Sequence, residues 1–439
     1  MNTKHFLFLA YLFFSTLVFG QEIDTKKLDL YFSTLAQNNK FMGSVAVSQA
    51  GKVIYTNSIG FSDVEKQIKA TETSTYRIGS ISKTFTAVLI LKAIEDRKIT
   101  LDQPIKKYFP HIQNADQITI LQLLQHRSGI ADFTELDNYT DWNTQAKSES
   151  EMVSLIAKGG SDFMPDTQTS YSNSNYVLLS FILENIYQAS YSDLLSKYIT
   201  HPLSLKNTYL GHKINTANNE AKSYTFDKNW IVAPETDISI PLGSGGIVSN
   251  PTDLVAFSDA LFQGKIIKKE SLDLMKTMKN NYGLGLMVTP FYDKISYGHR
   301  GGIDKFTSVF SYFPKENISF ALTSNGSNYN SNEIPITVLN AVFNQPFEIP
   351  NFSTYQVDSS MLDQYIGVYS SNQVPIKLTI TKSGHTLIVQ ATGQAANELE
   401  PSEKDTFKLE KAGIVLSFDP QEKTMVLKQG GGEFTFTKE

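Results

Sequence analysis

The chain has 439 residues, is 41% hydrophobic and 19% charged, and carries a formal net charge of -5. That length accommodates one large domain and a small one, while a mild negative charge without any basic stripe excludes nucleic acid as the partner. Cysteine is absent, which excludes disulfides, thiolate metal sites and a lipid-modified cysteine.

Met1 to Gly20 places Lys4 before an apolar run from Phe6 to Phe14 and ends on Val18 and Gly20. This pattern reads as a secretory signal peptide cleaved before Gln21, and its apolar run is shorter than the roughly 20 residues that span a bilayer. The mature protein is therefore expected in an exported compartment, periplasm or medium, with no membrane span after cleavage. Gly43 to Val47 and Val53 to Ile59 are β-rich alternating runs joined by Gln49-Ala50-Gly51-Lys52, which predicts a hairpin. A Gly-led turn at Arg77 to Ser80 then opens an apolar helix through Ile94. Ile118 to Gln125 predicts a short helix ending at His126-Arg127-Ser128-Gly129, Asn138 to Ser161 is polar and helix-prone, and Tyr176 to Tyr187 is strongly apolar and helical.

After Gly243-Ser244-Gly245-Gly246, Pro251 and Asp253 open a helix through Phe262. Tyr282 to Val288 and Ile295 to His299 read as extended. Phe306 to Phe313 and Ile318 to Ser324 form a second hairpin about Pro314-Lys315-Glu316-Asn317, and Ile334 to Phe343 closes the domain as a helix. The fold class is α+β: an antiparallel sheet built from both ends of the domain, flanked by helices, with a mostly helical insertion. A signal peptide (1–20) thus precedes a main domain (21–345), and two prolines, Pro346 and Pro350, mark a linker over 346–352. In 353–439, short runs such as Leu378 to Ile380, Thr386 to Gln390, Ile414 to Phe418 and Glu433 to Thr437 predict a small antiparallel sheet or barrel.

The chemistry centres on Ser80 and Lys83, a Ser-x-x-Lys that occurs once in the chain. Three residues apart, the two side chains share one helix face. A serine hydroxyl is a poor nucleophile near neutral pH, and a desolvated lysine is one of the few groups able to take its proton. Acyl transfer also needs a proton shuttle and donors for the oxyanion. Tyr171-Ser172-Asn173 lies at the mouth of the helix at Tyr176, where both side chains can face one cleft. Tyr-x-Asn alone is weak, since Tyr55 to Asn57 repeats it inside a predicted strand. Gly298-His299-Arg300-Gly301-Gly302 ends an extended run, and its glycines let a ligand approach the backbone. No metal-ligand pattern surrounds any histidine, so neither a metal nor a cofactor is expected, and His126 reads as a structural partner at its helix end.

Ser-x-x-Lys, Tyr-x-Asn and His-x-Gly in this order resemble the serine β-lactamase and penicillin-binding-protein superfamily. The resemblance is closest to the branch with class C β-lactamases, D-Ala-D-Ala carboxypeptidases, D-aminopeptidases and related esterases. It extends to Leu123 through Gly129, Gly245 through Ser249 and Tyr282 through Gly285, and covers residues 25 to 345. It implies that Ser80 is the acyl-forming nucleophile and Lys83 its proton acceptor or electrostatic partner. Tyr171 would shuttle the proton, as phenolate or as a relay, which leaves open which of the two is the base. It further implies that Asn173 binds the substrate amide and that His299, Arg300, Gly301 and Gly302 line the cleft. The N–H groups of Ser80 and Gly302 would then form the oxyanion hole.

Where many β-lactamases have Lys-Thr-Gly, this chain has His299-Arg300-Gly301. A histidine is mostly neutral near pH 7, so the departure favours a D-peptidase or esterase over a β-lactamase, with Arg300 as the one candidate to supply the missing charge. The implied partner is a small-molecule or peptide substrate of peptidoglycan type. The contrasting class is a non-catalytic penicillin- or peptidoglycan-binding sensor. Leu362, Tyr365, Gly367 and Tyr369 resemble the start of the lipocalin-like domain appended to some of these hydrolases, read here as a stabilising cover.

Overall fold

The computed structural model describes residues 23–352 and 355–439; the signal-peptide reading at Met1 to Gly20 lies outside them. A six-stranded antiparallel sheet runs in the order Met287–Phe291, Lys294–Ile303, Phe306–Phe313, Ile318–Ser327, Phe41–Gln49, Lys52–Ile59. Both predicted hairpins are in it, and the strand after Phe313 pairs with the one that begins at Phe41. The two ends of the main domain therefore close one sheet, as α+β patterning requires. Tyr282 to Leu286, expected to be extended, lies outside the sheet strands, and the edge strand begins at Met287.

Strand alternation gives the sheet two differently committed faces. Val45, Val47, Phe320 and Leu322 face helices Thr25–Gln37 and Glu333–Val342. Ala46, Phe310 and Ala321 face the other way, into the larger core with the helical insertion. Helix Ser82–Glu95 lies inside that core, buried from Ser82 through Leu91, and a helix apolar nearly all round is stable only when covered on every side. Phe85 stacks on Phe257 of helix Pro251–Phe262 at 3.8 Å between ring centroids. Asp259 of the same helix accepts hydrogen bonds from Ser48 (2.6 Å) and Ser319 (2.7 Å), so the buried carboxylate is partnered and pins helix to sheet. Helix Asn173–Tyr187 supplies the next layer, starting three residues earlier than its apolar run suggested because the polar Asn173-Ser174-Asn175 turn is itself helical.

The C-terminal part is a closed antiparallel barrel of eight strands, from Gly367–Ser370 to Gly432–Lys438, the first pairing with the last at Tyr369 and Lys438. Leu378, Ile380, Leu387, Phe407, Leu416, Phe418 and Phe436 fill it. Strand Asn397–Glu403, with Pro401 and three glutamates, carries no apolar run to reveal it. The segment 346–352 is packed down: Phe347, Ile349 and Phe352 join the outer core. Lys40 pairs with Glu410 of the barrel, and its ammonium lies 5.0 Å from the Phe352 ring centroid.

Candidate active site

Ser80 stands in the single 3-10 turn Gly79–Ile81 that feeds helix Ser82–Glu95. The turn is wedged against the strand Lys294–Ile303. Gly79 has φ +50°, and a Cβ there would lie 2.7 Å from both N and O of Gly302; only glycine fits. A Cβ on Gly301 would meet the Ile78 carbonyl at 1.9 Å, and that carbonyl accepts the Ser308 hydroxyl at 2.7 Å. The glycines of the His-Arg-Gly-Gly stretch thus serve to bring the strand backbone against the turn that carries Ser80.

Lys83 is fully buried, and its Nζ reaches three oxygens: Ser80 Oγ at 3.0 Å, Asn173 Oδ1 at 2.8 Å and the Ser244 carbonyl at 2.7 Å. Burial holds its pKa down at about 7, with the charge of Asp132 pulling the other way. The Asp132 carboxylate can only accept, and its Oδ2 takes the Asn173 side-chain amide at 2.8 Å and the Asn173 backbone N–H at 3.1 Å. This fixes which end of the Asn173 amide faces Lys83. A neutral amine has two N–H groups and one lone pair. With Asn173 Oδ1 and the Ser244 carbonyl both acceptors only, the two N–H groups go to them and the lone pair is left for the Ser80 hydroxyl proton.

Tyr171 lies beside this group, its ring centroid 4.8 Å from Lys83 Nζ. Burial raises its pKa, with the Ser80 hydroxyl working in the opposite direction, so the phenol is protonated at neutral pH. His126 stacks on the Tyr171 ring at 4.4 Å and 28°. The His126 backbone has φ +57°, and Nδ1 accepts the Ser172 N–H at 3.1 Å, so the ring is a fixed plate behind Tyr171. Burial first, then the charge of Lys83, holds its pKa well below 6.5.

His299 is buried with its pKa pushed down to about 4 by desolvation and by Lys83. Its Nδ1 lies 2.6 Å from the Arg300 carbonyl; a carbonyl only accepts, so Nδ1 carries the proton of the neutral ring. His299 pairs with Phe310, on the face of the large core, whereas Arg300 pairs with Val309, on the face of the outer core. The Arg300 guanidinium is directed to Asn332 at 3.2 Å. The expectation that Arg300 puts a charge in the cleft is thereby corrected: consecutive strand residues point to opposite faces, and the residue on the inner side, near Lys83, is the buried His299, which does not itself line the cleft around Ser80.

The cleft around Ser80 encloses about 880 Å³ and is lined by Asn173, Tyr139, Tyr224, Ser244, Gly302 and Phe306, among others. Its wall is braced by Arg77, which is buried and donates to Glu235 (2.5 Å), Asp304 (3.0 Å) and the carbonyls of Thr236 (2.6 Å) and His212 (3.1 Å). The structure thus gathers Ser80, Lys83, Tyr171, Asn173, His299, Gly301 and Gly302, and leaves out Arg300. Sequence reasoning missed Asp132, which is 41 residues from Asn173 and has no motif, and the Ser244 carbonyl, a backbone group without a side-chain signature.

The Beta-lactamase family matches residues 32–342. Penicillin-binding protein 4* of Bacillus subtilis (strain 168) is 24% identical over 444 residues, covering 93% of this chain and 97% of that one. The teichoic acid D-alanine hydrolase of Staphylococcus aureus (strain MRSA252) is 27% identical over 312 residues, 69% of this chain and 74% of its own. Among solved structures, the D-amino acid amidase of Ochrobactrum anthropi SV3, complexed with L-phenylalanine amide, superposes with a TM-score of 0.64 at 27% identity. That match covers 73% of this chain and 99% of the amidase. With the Ser80–Lys83–Tyr171 cluster in place and the family match spanning most of its length, this chain belongs to the Beta-lactamase family of serine hydrolases.

Proposed function

We propose that the protein is an exported hydrolase that cleaves an amide or ester of a D-amino acid through an acyl-enzyme on Ser80. The observation that carries the catalytic reading is the orientation of Lys83: its two committed acceptors leave the lone pair for Ser80, and a pKa of about 7 makes it a base at neutral pH. Lys83 takes the hydroxyl proton as Ser80 Oγ attacks the carbonyl carbon. The Ser80 and Gly302 N–H groups hold the oxyanion. Tyr171, protonated, passes a proton to the leaving nitrogen or oxygen and is reprotonated from Lys83. Water then repeats the sequence on the acyl-enzyme. Asn173 holds Lys83, and the second N–H of its amide, held weakly by Thr134 Oγ1 at a long 3.5 Å from Nδ2, is the one a substrate carbonyl takes.

The choice of a D-amino-acid amide or ester draws on the relatives, a D-amino acid amidase and a teichoic acid D-alanine hydrolase. The β-lactamase alternative is disfavoured by the neutral His299 and the averted Arg300, and a binding-only sensor would have no use for a deprotonable Lys83. Mass spectrometry of products from D-alanine amide, a D-Ala-D-Ala peptide, p-nitrophenyl esters and nitrocefin tests the choice: turnover of a D-amide or ester above nitrocefin is expected, and nitrocefin alone being cleaved would overturn it. Export is tested by fractionation with N-terminal sequencing, which is expected to begin at Gln21; a retained Met1 would reverse that reading.

A further inference from the structure

With Arg300 turned away, charge in the cleft must come from elsewhere. The acidic group lining the cleft, Asp304, is consumed by Arg77 and by the Thr236 N–H at 3.0 Å. Two lysines line the same cleft: Lys305, in the hairpin after Gly302, and Lys411, from the 3-10 turn Glu410–Ala412 of the barrel. Among the described residues neither ammonium has a hydrogen-bond or ion-pair partner. In a chain of net charge -5, the wall around the nucleophile therefore has an uncompensated positive balance.

The position of Lys411 is built. Its neighbour Glu410 is held by the ion pair with Lys40 of the main domain. On its other side Gly413, at φ +61°, lies so close to Asn330 that a Cβ would come within 2.4 Å of the Asn330 amide nitrogen. The Ala412 carbonyl accepts the Gln429 amide at 3.2 Å. The turn is clamped from both sides, and the exposed Lys411 stands at the rim, lining both the cleft that holds Ser80, with Tyr329 and Ser331, and the neighbouring hollow that holds Arg300.

We infer that the barrel supplies a specificity residue: Lys411, with Lys305 lining the same cleft, binds an anionic substituent of the substrate, a carboxylate or a phosphate, apart from the scissile bond. The inference rests on the cleft being the substrate site proposed above, and it assigns the barrel a part in recognition beyond covering the main domain. An exposed ammonium attracts an anion over about a Debye length, roughly 8 Å at physiological salt, so the attraction weakens as salt rises.

The test is calorimetric binding to the Ser80→Ala protein, which needs no turnover. N-acetyl-D-alanyl-D-alanine is compared with its C-terminal amide, and the D-alanine ester of glycerol 3-phosphate with that of glycerol. We expect an anion to bind at least tenfold tighter than its neutral counterpart in one pair, which identifies carboxylate or phosphate as the source. Adding Lys411→Glu should abolish that advantage, and adding Lys411→Arg should keep it. Adding Lys404→Glu, the same charge change on an exposed barrel turn, should also keep it; Lys411→Gln replaces Lys411→Glu if the latter does not fold. An anion advantage in neither pair, or one that survives Lys411→Glu, overturns the inference. Loss of Ser80 labelling in the otherwise wild-type protein would instead overturn the catalytic reading.

Discussion

Asp132 sets the orientation of Asn173: one carboxylate oxygen receives both the side-chain amide at 2.8 Å and the backbone N–H at 3.1 Å. Through Asn173 Oδ1 this determines which lobe of Lys83 faces Ser80. The Asp132 charge also favours protonated Lys83. Asp132→Asn keeps an acceptor but removes the charge, so the acid limb of the acylation pH profile should shift below its wild-type position. Asp132→Ala should shift it too and lower kcat by about a hundredfold, the lower end of what a positioned general base contributes. A purely structural Asp132 would lower activity without moving the limb.

For the wild type, acylation should rise with pH through about 7, as Lys83 loses its proton. The same shift has a consequence for stability. Lys83 has a folded pKa below its unfolded value of about 10.4, so between these the unfolded chain binds the extra proton and stability rises with pH. Lys83→Met removes that titration. The stability of wild type relative to Lys83→Met should increase from pH 7 to pH 10 and be flat below pH 7 in denaturant titrations; a relative decrease over that window would contradict a buried, neutralised lysine.

Gly79→Ala should be inactive. Its left-handed backbone alone costs a side chain about 1–2 kcal/mol, and the added methyl would push the Gly302 backbone away from the nucleophile turn. The expected signature is a lowered melting temperature together with loss of Ser80 labelling, and a normally labelled Gly79→Ala would show that the close approach is dispensable.

Arg300→Ala should change kcat/KM by no more than about threefold, which is less than about 1 kcal/mol of transition-state stabilisation. Its guanidinium reaches Asn332 on the far face. A loss of tenfold or more on any substrate that the wild type cleaves would return Arg300 to the cleft.

Much of the site was legible because its core is local or periodic. Ser80 and Lys83 are one helical turn apart, Tyr171 and Asn173 adjoin a strong apolar helix, and the sheet strands around His299 and Val45 alternate. The same alternation contains the correction to Arg300: neighbours on a strand cannot both face one cleft, so the choice between His299 and Arg300 follows once the strand continues through Ile303. Asp132, the Ser244 carbonyl and Lys411 were illegible for a different reason. Each reaches the cleft by tertiary packing, from a loop, a backbone turn and another part of the chain respectively, and none repeats or pairs at a spacing that sequence can display. Strand Asn397–Glu403 was hidden because its side chains are mostly polar and exposed, so no apolar period marks it.

The central claim, that Ser80 is a nucleophile deprotonated by Lys83, is tested most directly by intact-protein mass spectrometry with peptide mapping after treatment with a fluorophosphonate. One adduct per chain on the peptide holding Ser80 is predicted for the wild type, with none in Ser80→Ala and a labelling rate that climbs with pH through about 7. Equal labelling of wild type and Ser80→Ala, or an adduct on a different serine, would contradict it.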